Sequence, residues 1–241
     1  MISIWRYVFA PIAFLIWLKA KLRNRLFEIG IWKSVEFEFP IMNVGSLAGD
    51  PTLGISIYIQ HLLKGIVHID KYELMNHGLN KKVDYDYYSL LSQDGMITTR
   101  HRVLGIAEWY QSHAQSTSVI LNNQFGLSEI RPMLNVLITN FDNPFYGDVL
   151  FPMGELKDIK QIARIADLII VYQSPGTLNK ENFEMKVRNY LKKKVPLFFI
   201  SNSKESLKSF NSADQIEFIA DRDNFERLIF NVIPNANPDS E

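Results

Sequence analysis

The sequence predicts an α/β protein with a mostly parallel sheet flanked by helices. Short runs of β-branched and aromatic residues recur along the chain, and polar segments with helical spacing separate them. Nearly continuous apolar strands that alternate with helices indicate a parallel sheet covered on both faces. The predicted strands are Phe37–Val44, Ser118–Leu121, Leu134–Thr139, Asp167–Tyr172, Leu197–Ser201 and Ile216–Ile219, and the predicted helices are Ile55–Leu63, Arg102–His113, Asp158–Ala166 and Lys180–Lys193.

The composition indicates a globular chain with an uneven distribution of charge. Of the 241 residues, 47% are apolar and 22% are charged, which excludes a disordered chain. The absence of cysteine excludes disulfides, thiolate metal sites and cysteine nucleophiles. Residues 1–34 carry six basic side chains and one acidic one, a net charge of +5, so the other 207 residues, with 20 basic and 25 acidic groups, carry −5. The neutral total therefore combines a basic N-terminal segment with an acidic body.

The N-terminal segment predicts a helix that lies in a membrane interface. Its charge-free run, Tyr7–Leu18, has 12 residues, fewer than the roughly 20 that span a bilayer. The basic residues that follow this run argue against signal-peptide cleavage. Pro11 can open a helix and Gly30 can end it. Between them, five apolar residues recur at helical spacing along one stripe: Leu15, Leu18, Leu22, Leu26 and Ile29.

Basic and aromatic residues border this apolar stripe. An interfacial helix has this arrangement, because basic side chains reach the headgroups while their stems stay in apolar surroundings. Anionic lipid adds about 1 kcal/mol per nearby Lys or Arg. The alternative is an amphipathic helix that packs on the body of the protein. The predicted membrane contacts are Trp5, Phe14, Trp17, Lys19, Lys21, Arg23 and Arg25.

The loop after the first strand has the layout of a phosphate-binding loop without its chemistry. Strand, glycine-bearing loop and helix follow one another, as in phosphate-binding loops. However, Pro51 removes an N–H donor, Asp50 places negative charge where phosphates would lie, and the chain has no Lys or Arg from Ser34 to Leu63. The residues of this loop therefore fit an ordinary strand-to-helix turn better than a functional phosphate-binding loop. The positions of this degenerate nucleotide-binding loop are Gly45, Ser46, Gly49, Thr52 and Gly54.

Asparagines follow the second predicted strand. A nucleotide enzyme would place carboxylates at Asn122 and Asn123 to hold magnesium or accept a proton. An amide cannot act as a general base, and asparagine also caps turns and helices well. The histidines show no ligand spacing beside a carboxylate, so the sequence predicts no metal site.

The order of segments resembles the tetraacyldisaccharide 4'-kinases, inner-membrane enzymes that phosphorylate the lipid A precursor with ATP, and in particular their Bacteroidetes-type sequences. Pro40–Leu47 is similar to the lead-in of that family's P-loop, and Met75–Lys82 and Arg102–Ile106 resemble two later segments. The best match, Val119–Pro175, reads VILNNQFGL, LNVLI, LFPMGELKD and IADLIIVYQ. The corresponding family segments read roughly ILLDD[GA][FL]QH, LxIxL, LPxGxLRE and RADx[IV][IV]VTK.

The resemblance implies a P-loop-like fold and a peripheral location on the cytoplasmic face of the inner membrane. It implies ATP and Mg²⁺ as the family's cofactors and a membrane lipid, the lipid A precursor, as partner; no nucleic-acid partner is predicted. The implied domains are a membrane-associating segment over 1–34, a P-loop-kinase-like α/β domain over 35–200, and a remnant of a truncated C-terminal lobe over 201–241.

The departures from the family concentrate where its chemistry lies. They fall between Thr52 and Ser56, at Asn122 and Asn123, at Gly126 and Leu127, and at Lys157 and Asp158. Because the apolar strands persist while phosphate, metal and proton-transfer groups change together, the sequence predicts a pseudokinase with no intact catalytic residue and no metal site. The alternatives are a divergent but active lipid A 4'-kinase that uses Asp50 or Asp142 for magnesium, and a non-enzymatic peripheral membrane adaptor.

Overall fold

An eight-stranded sheet forms the centre of the described chain. A computed structural model describes residues 8–48, 72–77, 96–99, 102–112, 118–122, 125–126, 128–175, 180–192, 194–201, 217–218 and 222–232. The strands are β1 (Ile41–Ser46), β2 (Tyr72–His77), β3 (Met96–Thr99), β4 (Ser118–Asn122), β5 (Leu134–Asn140), β6 (Leu168–Tyr172), β7 (Leu197–Ser201) and β8 (Glu217–Phe218). The α-helices are α1 (Ala10–Glu28), α2 (Arg102–Ser112), α3 (Lys180–Arg188) and α4 (Arg222–Val232), and a 3₁₀ helix spans Lys160–Ile165.

The strand order is β3-β2-β4-β1-β5-β6-β7-β8. Strands β1 to β7 are parallel, and β8 pairs antiparallel with β7 at one edge. This arrangement confirms the predicted, mostly parallel sheet. Strand β1 lies between β4 and β5, and the chain leaves β1 toward one side of the sheet and β5 toward the other. The carboxyl ends of β1 and β5 therefore form a topological switch point, where ligands of such sheets bind.

The central strands are buried on both faces, which explains their continuous apolar runs. Burial of each Val, Leu, Ile or Phe side chain contributes about 1.5–3 kcal/mol. One core cluster joins β5, β6 and β7 to α3 and includes Leu137, Ile169, Val171, Phe199, Phe183 and Val187. A second cluster joins β1 and β4 to α2 and includes Phe39, Ile41, Val119, Leu121 and Ile106.

The six predicted strands are present, with shifted ends. Strand β1 begins at Ile41, just after Pro40, and not at Phe37. Strands β2 and β3 were not predicted, because YELMNH is half polar and MITT has only four residues. Helix α4 was also not predicted. The predicted helix Ile55–Leu63 lies outside the described residues.

Two helix predictions need correction. The prediction of an α-helix over Asp158–Ala166 is wrong, because a 3₁₀ helix spans Lys160–Ile165 between extended residues Ile159 and Ala166. Helix α3 ends at Arg188, five residues before the predicted Lys193. There the N–H groups of Tyr190 and Leu191 bond to carbonyls three residues back, which tightens the chain into a turn.

Helix α1 agrees with the predicted N-terminal helix. Pro11 lies in its first turn, and Gly30 follows its end with a φ of 78° that favours glycine. The N–H of Gly30 donates to the Phe27 carbonyl at 3.1 Å. None of the described helices is long and apolar enough to span a membrane.

Candidate functional site

The carboxyl ends of β1, β5 and β6 form the candidate ligand site. The last residues of these strands are Ser46, Asn140 and Tyr172, and Gln173 follows Tyr172. All four side chains are uncharged at neutral pH. One charged residue, Lys157, lies next to the end of β1. Its backbone N–H donates to the Leu47 carbonyl at 2.8 Å.

The Asn140 carboxamide ties this edge together. Its Nδ2 donates to Gln173 Oε1 at 2.6 Å. Its Oδ1 accepts the backbone N–H groups of Asp142 at 2.7 Å and Asn143 at 3.1 Å, which is an Asx turn. Gln173 has a φ of 55°, in the left-handed region that non-glycine residues rarely occupy. Asn140 therefore fixes both the loop after β5 and the residue after β6.

The neighbouring hydroxyl groups also bond to the local backbone. Ser46 Oγ accepts the Ala48 N–H at 3.1 Å, and Thr139 Oγ1 accepts the Phe145 N–H at 3.0 Å. Ser174 Oγ donates to the Val171 carbonyl at 3.0 Å. Amides and hydroxyls can hold a polar ligand, but they supply neither a general base nor a strong Mg²⁺ ligand.

Tyr172 is the most deeply buried polar side chain of this edge, with 1% of its surface exposed. Burial raises the pKa of its phenol, so the hydroxyl remains protonated at neutral pH. The neighbouring Asn140 side chain opposes this shift. Among the last residues of β1, β5 and β6, the structure thus shows a neutral phenol donor and no carboxylate or imidazole.

The predicted nucleotide-binding residues are only partly covered by the structure. Gly45 and Ser46 lie at the end of β1. Gly49, Thr52, Gly54, Asp50, Asn123 and Leu127 lie outside the described residues, and of Asn122 the structure describes only the backbone at the end of β4. The described ranges contain no group of three or more His, Asp or Glu residues that could hold a metal ion.

A second polar region attaches α1 to the body. The Arg23 guanidinium pairs with the Asp158 carboxylate, whose side chain is 9% exposed. Asn24, also buried, places its Nδ2 3.4 Å from Asp158 Oδ1 and accepts the Arg23 guanidinium at 3.1 Å. The Ile159 N–H donates to the same carboxylate at 2.7 Å. Burial raises the pKa of Asp158, and the Arg23 charge opposes that shift.

Glu28 makes a second attachment at the end of α1. Its carboxylate accepts hydrogen bonds from Arg164 at 3.1 Å, Lys192 at 3.3 Å and Arg25 at 3.2 Å. The hydrogen bonds from Lys192 and Arg25 lower the pKa of Glu28. Arg164 and Lys192 belong to the body, so this carboxylate links the helix to two separate segments.

The outer face of α1 is apolar and exposed. Ala13, Ala20 and Asn24 face the body. Four of the five residues of the predicted stripe point away from it, since Leu15, Leu18, Leu22 and Ile29 are 46–64% exposed, whereas Leu26 is half-buried. On a helical wheel, Lys19 lies on one side of this face, and Lys21 and Arg25 lie on the other.

The predicted membrane contacts occupy several positions on α1. Phe14 is exposed and stacks on Trp17 with ring centroids 5.8 Å apart. Lys21 Nζ lies 4.6 Å from the Trp17 ring centroid. Arg23 turns toward the body, where it pairs with Asp158. Trp5 lies outside the described residues.

Comparison with known proteins identifies relatives of this chain. No family model matches it. It is 21% identical over 216 residues to the tetraacyldisaccharide 4'-kinase of Flavobacterium johnsoniae, covering 82% of this chain and 63% of the relative. Matches to the enzymes of Flavobacterium psychrophilum (23% identity) and Phocaeicola vulgatus (24% identity) cover 78% and 72% of this chain but only 61% and 52% of those proteins. The chain therefore spans little more than half the length of the relatives it matches.

The fold has a solved counterpart. The crystal structure of LpxK from Aquifex aeolicus in complex with ATP superimposes with a TM-score of 0.66 at 17% sequence identity, covering 82% of this chain and 65% of that protein. The fold is thus that of a P-loop-like α/β protein, as predicted. Together with the sequence matches, it confirms the predicted resemblance to the tetraacyldisaccharide 4'-kinases.

Proposed function

We propose that this chain is a peripheral membrane protein, related to the tetraacyldisaccharide 4'-kinases, in which phosphate transfer is weak or lost. The observation that carries this proposal is the chemistry of the carboxyl edge. There the side-chain oxygens of Ser46, Thr139 and Asn140 accept hydrogen bonds from the protein's own backbone. A kinase site instead needs cations and metal-bound carboxylates that stabilise the transferred phosphoryl group.

The outer face of α1 supports the membrane part of the proposal. Exposed aliphatic side chains with lysine and arginine beside them are typical of a helix in the plane of a membrane interface. The Arg23–Asp158 and Glu28 contacts hold this helix with its apolar face turned outward. The proposed location is the cytoplasmic face of the inner membrane, where the lipid A precursor is the expected lipid partner.

A phosphotransfer assay tests the enzymatic part. The purified chain is incubated with radiolabelled ATP, Mg²⁺ and the tetraacyldisaccharide substrate in mixed micelles, with the Flavobacterium johnsoniae enzyme as positive control. We expect no labelled lipid above the protein-free blank. Turnover at rates like those of the control enzyme would overturn the proposal.

Vesicle binding tests the membrane part. Leu22→Glu places a charge on the exposed face of α1 and should release the chain from vesicles that contain anionic phospholipid. Met185 on α3 is similarly exposed, at 66% against 58% for Leu22, so Met185→Glu is the matched control. Equal binding of both variants would contradict a membrane role for this face. A non-enzymatic membrane adaptor would bind vesicles through this face and transfer no phosphate in the first assay.

A divergent but active kinase is the second candidate, and two charged residues favour it. Lys157 lies beside the end of β1, and the exposed Asp142 follows β5 with its backbone fixed by Asn140. A cation and a carboxylate at a switch point could hold Mg²⁺ and phosphate. If phosphate transfer is detected, Asp142→Asn should abolish it, whereas Asp223→Asn on α4 should leave it unchanged.

A further inference from the structure

We propose that the loop 148–156, called here the Phe151 loop, is a second membrane contact that inserts into the bilayer interface beside α1. The inference rests on the membrane part of the proposed function and adds a partner surface outside α1. Its occupant is the headgroup and upper acyl region of a bilayer that contains anionic lipid.

The Phe151 loop lies against the N-terminal half of α1. An apolar groove of about 420 Å³ separates them, with Phe14 and Trp17 on the helix side and Val149, Leu150 and Met153 on the loop side. The loop and the helix therefore border one apolar groove.

Two apolar residues of the loop point outward, whereas Leu156 is buried in the core. Phe151 is 63% exposed and Val149 is 42% exposed, similar to Phe14 at 58% and Leu18 at 46% on the helix. Exposed apolar side chains therefore lie on two adjacent elements, and contiguous exposed apolar surface marks interaction sites.

The backbone of the loop is suited to an apolar environment. A backbone group that lacks a hydrogen bond in lipid costs several kcal/mol. Here the Asp148 carboxylate accepts the N–H groups of Val149 at 2.7 Å and Glu155 at 2.9 Å. Carbonyls within the loop accept those of Phe151, Met153, Gly154 and Leu156 at 2.9–3.2 Å.

Gly154 allows this closed backbone arrangement. A Cβ at this position would overlap the Val149 carbonyl oxygen. Glycine therefore lets the two sides of the loop meet, and the turn presents Phe151 as a fixed projection.

The surrounding charge favours an anionic bilayer over an apolar protein partner. Lys19, Lys21 and Arg25 lie beside the apolar face of α1, and Lys160 lines the groove. The Asp148 carboxylate accepts backbone N–H groups of the Phe151 loop itself. Glu155 is the other acidic residue of this loop. Basic side chains around an apolar surface are the charge pattern of proteins that bind anionic membranes.

The cysteine-free sequence allows a direct test of depth. Phe151→Cys introduces a single thiol, which is labelled with a nitrobenzoxadiazole fluorophore and mixed with vesicles of phosphatidylethanolamine and phosphatidylglycerol. Leu22→Cys reports on α1, and Met185→Cys is the control for an exposed residue away from the membrane. We expect the labels at 151 and 22 to shift to the blue and to be quenched by nitroxide-bearing lipid, and the label at 185 to remain in water.

The outcomes separate the loop from the helix. If the label at 22 enters the membrane and the label at 151 does not, the loop proposal is wrong while the membrane function stands. If neither enters, both proposals fail. As a label-free measurement, Phe151→Ser should weaken vesicle binding about tenfold, the order expected for one apolar side chain. Met185→Ser should leave binding unchanged, and an equal effect of both substitutions would contradict the loop's role.

Discussion

At the carboxyl edge of the sheet, β1 and β5 end in a hydroxyl and an amide that bond to the local backbone, whereas the polar contacts that hold α1 involve charged groups. Asn140 and Ser46 belong to the first region. Arg23, Asp158 and Glu28 belong to the second. The charged contacts therefore fix the orientation of a helix with an exposed apolar face. The proposed membrane role rests on this second region, and the proposed loss of phosphate transfer rests on the first.

Removal of Arg23 should have the largest effect on the α1 side of this comparison. Arg23→Ala leaves the Asp158 carboxylate buried without its cation, as in other broken ion pairs. We expect the free energy of unfolding to fall by about 1–3 kcal/mol, less than for a fully buried pair, because solvent screens the 35%-exposed Arg23 side chain. Urea denaturation measures the loss, and hydrogen exchange should accelerate in α1. An equal loss of stability for Lys19→Ala would contradict a specific role of the Arg23–Asp158 ion pair.

Removal of Asn140 tests the carboxyl edge. Asn140→Ala deletes hydrogen bonds to Gln173, Asp142 and Asn143, and should lower stability by about 1 kcal/mol. Urea denaturation measures the loss, and Asn143→Ala, at an exposed neighbouring position, is the control. An equal loss for both variants would contradict the structural role of the Asn140 carboxamide.

The pH dependence of the Arg23–Asp158 contact should have a defined sign. Burial raises the pKa of Asp158 above its ordinary value of 3.8. The protonated form therefore stabilises the folded chain, and this contribution is lost as the pH rises through the folded-state pKa. As the pH rises from 3.8 through the raised folded-state pKa, the wild-type chain should lose stability relative to Asp158→Asn. A difference that is constant with pH, measured by thermal unfolding, would show that Asp158 does not titrate in this range.

Glu28 should show the smallest effect. Hydrogen bonds from Lys192 and Arg25 lower its pKa, so the stability that this carboxylate contributes is lost as the pH falls through the folded-state pKa. Glu28→Gln should destabilise the chain slightly at neutral pH in low salt. Because salt screens exposed charges, raising the salt concentration should remove this difference. A stability difference that persists in high salt would indicate that Glu28 acts through packing and not through its charge.

The sequence predicted the sheet better than the attachments between elements. Strands such as β5 and β6 are continuous apolar runs, so burial on both faces is visible in the sequence. Strands β2 and β3 are short and partly polar, so they give no such signal. The 3₁₀ helix at Lys160–Ile165 has apolar residues at spacings that also suit an α-helix, and only the extended residues on either side distinguish the two.

The orientation of α1 depends on long-range contacts that periodicity does not show. The apolar stripe of Leu15, Leu18 and Leu22 was visible in the sequence, but it did not say which face contacts the body. The helix packs through Ala13 and Ala20, whose small side chains allow close approach, and through Arg23, whose partner lies 135 residues away. No local pattern joins residues at that separation. The hydrogen bonds of Asn140 were also missed, although an asparagine at a strand end is a typical turn signal.

Binding of Mg²⁺–ATP to the purified full chain is the most direct test of the central claim. Isothermal titration calorimetry, with the Flavobacterium johnsoniae kinase as positive control, measures whether the carboxyl edge still recognises nucleotide. We expect no binding heat from this chain under conditions in which the control enzyme saturates. Micromolar, magnesium-dependent binding that Asp142→Asn abolishes would contradict the claim and establish the edge as an active nucleotide site.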